Sequence, residues 1–277
     1  MTNTDLTIII TTFKSEDKID ICLNSIGNDF RVIVIENSNN QKFKNYIENK
    51  YQNVECELTK ENLGYGKANN KGLKKVKTRY SLILNPDTIL KKKSIDNFFS
   101  FIKKKIDFAI LGPAQNELIL NKTSSDLIEV ESVKGFAIFL NMEKFSNIGF
   151  FDENIFLYLE EIDLCKRIRN INEKIYVDQS IKIFHDGGKS VNEKFSNKIE
   201  LLRNWHWMWS LFYYNRKHFN FFYALILVSP KFISALIKII FYKLIVNDKK
   251  NKIYSERLNG LINSILGRSS WYRPTLD

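Results

Sequence analysis

Apolar, β-rich runs alternate with helix-period segments from the start of this chain, and that alternation admits few folds. Leu6–Thr12 reads as a strand, 15–26 as a helix with Ile19, Leu23 and Ile26 on one face, and 30–35 as a second strand; 42–51 then reads as a helix and Val54–Leu58 as a third strand. With every connection short, the βαβαβ order predicts an α/β fold, a parallel sheet with helices on its faces. The next run, Tyr80–Leu84, stops at Asn85-Pro86-Asp87. Pro86 cannot donate a ladder hydrogen bond, so the chain leaves the sheet there and presents Asp87 at a strand's end. Ligands of open α/β sheets sit beyond the carboxyl ends of strands, where a carboxylate can share a hard cation with substrate phosphates. An aspartate in such a turn can equally act as a cap.

Other polar features fall at similar positions. Glu36 follows the second strand and opens the turn 37–40. Asn62, Gly64, Gly66 and Asn69 lie in a glycine-punctuated loop that runs into a helix ending near Lys77, where amides favour an anion unless the glycines serve ordinary turn chemistry. The loop lacks both a Walker Gly-Lys-Ser/Thr and the Gly-x-Gly-x-x-Gly spacing. Further along, 94–105 reads as an amphipathic helix, 108–111 as a strand, 116–131 as a loop or hairpin near an acceptor, 133–141 as a strand, and 175–177 and 181–184 as two short strands. Glu160, Glu161 and Asp163 crowd a helix start, suited either to the helix dipole with an Asp163–Arg167 pair or to general-base chemistry beside Phe156 and Tyr158. His185 leaves a strand into Gly187-Gly188, as a metal ligand, a phosphate donor or a structural residue.

Composition narrows the class. With 44% hydrophobic residues in 277, the chain can bury a substantial core. Of its formal +11, residues 205–277 supply a surplus of eight, with eleven Lys/Arg against three Asp/Glu. Cys22, Cys56 and Cys165 are far apart and lack a Cys-x-x-Cys spacing, which fits a reducing cytosol, and the N-terminal apolar run has no basic region before it and is too short for an export signal. The basic tail interleaves aromatics (Trp205, Trp207, Trp209, Tyr213) with long aliphatic runs that nucleic-acid stacking would not use. Lys231, Lys238 and Pro230 divide those runs into lengths short of a membrane span, so the expectation is an amphipathic helix on an anionic membrane surface, with a homodimer interface or plain core, or a re-entrant or spanning segment, as the other uses of the same stretch. Residues 258–267 read as a short closing helix.

Taken in order, the segments Ile8 to Lys14, Val32 to Ser38, Glu61-Asn62-Leu63-Gly64-Tyr65 with Asn69-Asn70, Asn85-Pro86-Asp87, Phe151-Asp152-Glu153 with Tyr158, Glu160-Glu161 and Asp163, and His185 with Gly188 and Ser190 resemble the family 2 inverting glycosyltransferases of the GT-A fold, in particular the bacterial rhamnosyltransferase-like branch. The resemblance covers about residues 6–190. It implies a mixed, mostly parallel Rossmann-like sheet over residues 1–204, with 205–277 as a helical extension. It implies Mg²⁺ or Mn²⁺ on Asp87 with His185, and a nucleotide-diphosphate sugar (UDP- or dTDP-sugar) bound by Thr12, Glu36, Asn62, Gly64, Asn69 and Asn85. Glu161 is the first choice of catalytic base, with Glu160 and Asp163 beside it. The implied acceptor is a lipid-linked or polysaccharide glycan, made in the cytoplasm at the inner face of the membrane. A nucleotidyltransferase, or an inactive basic protein binding membrane or nucleic acid, is the alternative.

Overall fold

The computed structural model describes residues 5–114, 126–185 and 195–274, which fall into two compact units. The first unit is Met1–Asp152 with Glu161–Asn192; the second is Glu153–Glu160 with Glu193–Asp277.

In the first unit β1 (Leu6–Thr12), α1 (Glu16–Ile26), β2 (Arg31–Glu36), α2 (Gln41–Lys50), β3 (Val54–Leu58), α3 (Tyr65–Leu73) and β4 (Tyr80–Leu84) follow the expected alternation. β1 pairs in parallel with β2 and β4, and β2 pairs in parallel with β3. Every residue of β1 is buried, because helices cover both faces of the sheet. Ile8 and Ile10 enter one core with Ile19 of α1 and Phe43 of α2, while Ile9 enters the other with Ala68 and Leu73 of α3. A Cβ at Gly72 would stand 2.7 Å from Ile9 Cγ2, so α3 lies this close only with glycine there.

Beyond β4 the sheet is mixed. β5 (Thr88–Leu90), α4 (Lys92–Lys103), β6 (Ile110–Ala114), β7 (Leu127–Glu129), β8 (Ala137–Asn141), α5 (Glu160–Asn170) and β9 (Ile175–His185) complete the strand order β3-β2-β1-β4-β8-β6-β9-β5, with β7 on β9. The turn expected after Asp87 is followed at once by the three-residue strand β5, too short to carry a period. The two strands expected over 175–184 are one strand of 11 residues, whose pairing with β6 shifts register between Pro113 and Ala114. That irregularity breaks the hydrophobic pattern without breaking the strand. Of the segment 116–131, Leu127–Glu129 is a strand and 116–125 lie outside the described residues, as do Gly187, Gly188 and Ser190.

The second unit holds α6 (Ser196–His218), α7 (Phe221–Leu244) and α8 (Asp248–Ile265). The change of composition at Trp205 lies inside α6, so position 204 is not a linker, and the closing helix expected over 258–267 is the second half of α8. Pro230, Lys231 and Lys238, expected to divide the apolar stretch, sit within the continuous α7. By length and composition α7 is the one helix among the described residues long and apolar enough to cross a membrane, with a mean hydropathy of 2.0. Met208 and Phe212 of α6, Ala224 and Val228 of α7 and Leu261 of α8 form the unit's core. The segment Glu153–Glu160 belongs here through side-chain and backbone contacts: Phe156 lies 4.4 Å from the His206 ring, and Ser210 Oγ donates to the Leu157 carbonyl at 2.8 Å.

Candidate active site

The order β3-β2-β1-β4 reverses direction between β1 and β4, so the crevice beyond their carboxyl ends is the topological switch point. Thr12 ends β1, Glu36 ends β2, and Asn85 follows β4.

Asp87 sits just past that edge with its side chain 1% exposed, and neither of its carboxylate oxygens accepts a hydrogen bond from a described residue. A buried carboxylate left in this state is destabilising by a few kcal/mol unless a cation meets it. The nearest candidate partner is His185, whose Nε2 lies 3.3 Å from Asp87 Oδ1. β5 makes this meeting: it pairs antiparallel with the end of β9, Thr88 opposite His185. Asn85 Nδ2 stands 3.4 Å from the same His185 nitrogen, and the ring stacks on Phe136 at 4.7 Å. Two adjacent ligands of an octahedral ion at 2.0–2.1 Å stand about 3 Å apart, so Asp87 and His185 fit a shared divalent cation. No three His, Cys, Asp or Glu side chains converge among the described residues.

Gly135 and Phe136 join this pair to the acidic helix. Phe136 O accepts the backbone N–H of Asn85 at 2.9 Å, while on the other side of the same two residues a Cβ built on Gly135 would lie 3.6 Å from Glu161 Cδ. Tyr65 of α3 donates its hydroxyl to Gly135 O. Nothing in the sequence marked Gly135-Phe136 beyond a strand with a glycine, yet Asn85, His185 and Glu161 all meet it. Glu161 is partly buried on the first turn of α5. Burial raises its carboxyl pKa, opposed by the backbone amides of Glu161 and Ile162 and by the Lys134 charge. A carboxylate made more basic in this way is a stronger proton acceptor.

The other acids are placed differently. Asp163 has no exposed side-chain surface and accepts from Arg167 Nε at 2.9 Å, while Arg167 also donates to Ile148 O and Phe150 O. The pair thus anchors the 148–150 turn to α5. Glu160 is buried as the first residue of α5, preceded by Tyr158 and Leu159 at φ +70° and +68°, a left-handed stretch that non-glycine residues seldom adopt.

The expected donor-binding residues divide into two groups. Glu36 is 1% exposed and its carboxylate accepts from Ser38 N at 3.0 Å, Ser38 Oγ and Asn40 N at 2.6 Å, which shapes the turn after β2. Asn37 then ties that turn to the glycine loop: its Nδ2 donates to Asn62 Oδ1 and Gly64 O, and its Oδ1 accepts from Leu63 N and Thr59 Oγ1. Sequence reasoning treated Asn37 only as a turn residue. Gly64, at φ +81°, precedes α3, and Asn62 Oδ1 also accepts Gly64 N. Thr12 and Asn69 are buried among internal partners. Asn69 Oδ1 accepts from Thr11 Oγ1 at 3.0 Å, its Nδ2 donates to Tyr65 O, and Thr12 Oγ1 reaches Ile35 O at 3.5 Å.

Residues 7–165 match the family model described as glycosyl transferase family 2, and the chain belongs to that family. It is 23% identical over 209 residues to the low-salt glycan biosynthesis hexosyltransferase Agl10 of Haloferax volcanii, a match spanning 66% of this chain and 67% of that one. Its fold is similar to that of the mannosyltransferase PcManGT from Pyrobaculum calidifontis in complex with GDP-Man and Mn²⁺, with a TM-score of 0.60 at 10% identity over 95% of this chain and 87% of that one. S. aureus TarS 1-349 in complex with UDP-GlcNAc is similar too, with a TM-score of 0.51 at 15% identity over 99% and 93%. The fold is GT-A, and the chain is a glycosyltransferase.

Proposed function

We propose that this chain is a metal-dependent, inverting hexosyltransferase that moves a sugar from a nucleotide diphosphate to a lipid-linked or polysaccharide acceptor in surface-glycan synthesis. The observation that carries this reading is the buried Asp87 carboxylate, without a hydrogen-bond donor among the described residues and 3.3 Å from His185 Nε2. Asp87 and His185 would hold Mg²⁺ or Mn²⁺, whose chemistry there is to neutralise charge on the departing diphosphate. The loop that Asn37 fastens to Asn62 and Gly64 positions the nucleotide. Glu161 takes the proton of an acceptor hydroxyl as that oxygen bonds to the anomeric carbon and the bond to the diphosphate breaks. The single displacement inverts the anomeric centre.

The motif series lies nearest the rhamnosyltransferase-like branch, so dTDP- and UDP-sugars are the donors to test first. The reaction is placed in the cytoplasm, at the inner face of the membrane where a lipid-linked acceptor would be presented. Titration calorimetry with UDP and dTDP, with and without Mn²⁺, tests the reading, followed by transfer assays across a sugar panel. Metal-dependent nucleotide binding is expected. Nucleotide affinity that ignores the metal would overturn it.

A further inference from the structure

We propose that α7 lies in the plane of an anionic lipid surface, its outer face seated at headgroup depth. This rests on the second unit alone and is independent of the catalytic assignment. The helix packs through one narrow side, where Ala224, Val228 and Ala235 are its buried residues. Phe222, Ile226, Ile233, Ile237, Ile240 and Leu244 line the opposite side, each 55% to 77% exposed. At 1.5 Å per residue this stripe is about 33 Å long. A helix packed on one side and wetted on the other carries polar residues outward. Here the outward face is apolar throughout, and a contiguous exposed patch of this kind marks an interaction surface.

Charge says what covers it. By the 100° helical step Lys243 falls on a flank while Lys231 and Lys238 fall nearer the packed side, Lys238 with its Nζ 4.8 Å over the Tyr254 ring of α8, and Phe221–Leu244 contains no Asp or Glu. A second copy of α7 would bring three more lysines and no acid to meet them. Anionic headgroups complement this unopposed positive charge.

The backbone carries a second sign. Pro230 lacks the N–H that would bond the Ile226 carbonyl, and Ser229 Oγ donates to that carbonyl at 2.8 Å instead. Water would satisfy an exposed carbonyl, whereas lipid would not, so the internal cap suits a face out of water. A crossing orientation conflicts with α8. Asn251 Nδ2 donates to Ile239 O at 2.8 Å, and Lys250 Nζ lies 5.2 Å over Tyr242, so α8 runs against α7 and its Lys250, Glu256 and Arg257 would be drawn into hydrocarbon.

Co-sedimentation of the full chain with phosphatidylcholine vesicles, with and without about one-third phosphatidylglycerol, tests the proposal. Binding to the anionic vesicles is expected, at least about tenfold tighter than to the neutral ones. Ile233→Glu with Ile237→Glu alters only the exposed face and should lower that binding at least about tenfold with the circular dichroism and melting temperature unchanged. Folded wild-type chain that ignores anionic vesicles would overturn the proposal. So would a lipid-free dimer, seen by light scattering, that the same pair of substitutions splits.

Discussion

His185 Nε2 stands 3.3 Å from Asp87 Oδ1 across the β5–β9 pair, and that carboxylate accepts no hydrogen bond from any described residue. The arrangement is unfavourable without a cation, which gives it a signature apart from activity. Asp87→Asn removes the buried charge and should stabilise the metal-free chain by about 1–3 kcal/mol while abolishing the rise in melting temperature on adding Mn²⁺. Scanning calorimetry with and without Mn²⁺ reads both effects. A variant that melts lower and still responds to the metal would remove Asp87 from the site.

Glu161→Gln should keep donor affinity and lower kcat by about 10²–10⁴, the range a positioned general base supplies. Because burial raises the Glu161 carboxyl pKa, Glu161 is ionised above that value, and on the proposed role the rate should fall as pH drops through it. Gly135→Ala places a methyl 3.6 Å from Glu161 Cδ, an ordinary van der Waals contact that the fold can accept. Added apolar surface disfavours the charged carboxylate further, so the acid limb of the pH–rate profile should move to higher pH. A limb that stays in place in both variants assigns the base to another residue.

Asn37→Ala leaves Leu63 N, Asn62 Oδ1 and Gly64 O without the amide that joins them. The loop should loosen, raising the KM for the nucleotide sugar about tenfold or more with a smaller change in kcat, a loss of about 1–3 kcal/mol. Steady-state kinetics over a range of donor concentrations separates the two parameters. Equal losses in both would place the loop's role in the chemical step.

His206 is buried in the second unit, with Nδ1 2.8 Å from Ser270 Oγ and Nε2 2.9 Å from Tyr272 O, and burial pushes its pKa down to about 3. The unfolded chain binds its proton near pH 6.5 and the folded chain does not, so this group's contribution to stability is present above that value and lost as pH falls toward 3. Between pH 6.5 and 4.5 the loss is about 2–3 kcal/mol. Thermal melts of wild type and His206→Asn at the two pH values should show the steeper decline in wild type. Parallel declines would mean that another group dominates.

Much of the first unit was legible because its signals are local. Leu6–Thr12, Val54–Leu58 and Tyr80–Leu84 match their strands to the residue, since apolar runs bounded by turn residues have no other stable use in a doubly covered sheet. Asn85-Pro86-Asp87 could be placed at a strand end for the same reason. What closes the site was not legible. β5 is three residues long, and only its pairing with His185 gives it meaning. Gly135-Phe136 gathers Asn85, His185, Tyr65 and Glu161 through contacts distant in sequence, which no period records. The internal hydrogen bonds of Thr12 and Asn69 likewise join residues distant in sequence. In α7, charges that divide an apolar run on paper sit off the outward face and do not interrupt it.

The left-handed residues Tyr158 and Leu159 sit in a segment anchored among the second unit's aromatics: Phe156 on His206 and under Arg273, Leu157 on Ser210, Tyr158 against Trp207 at 5.6 Å. The residue that follows this segment is Glu161. The helical unit is therefore no exchangeable cassette. A tail swapped in from a relative would have to arrive with its own version of Glu153–Glu160, a stretch that stands apart from it in the sequence.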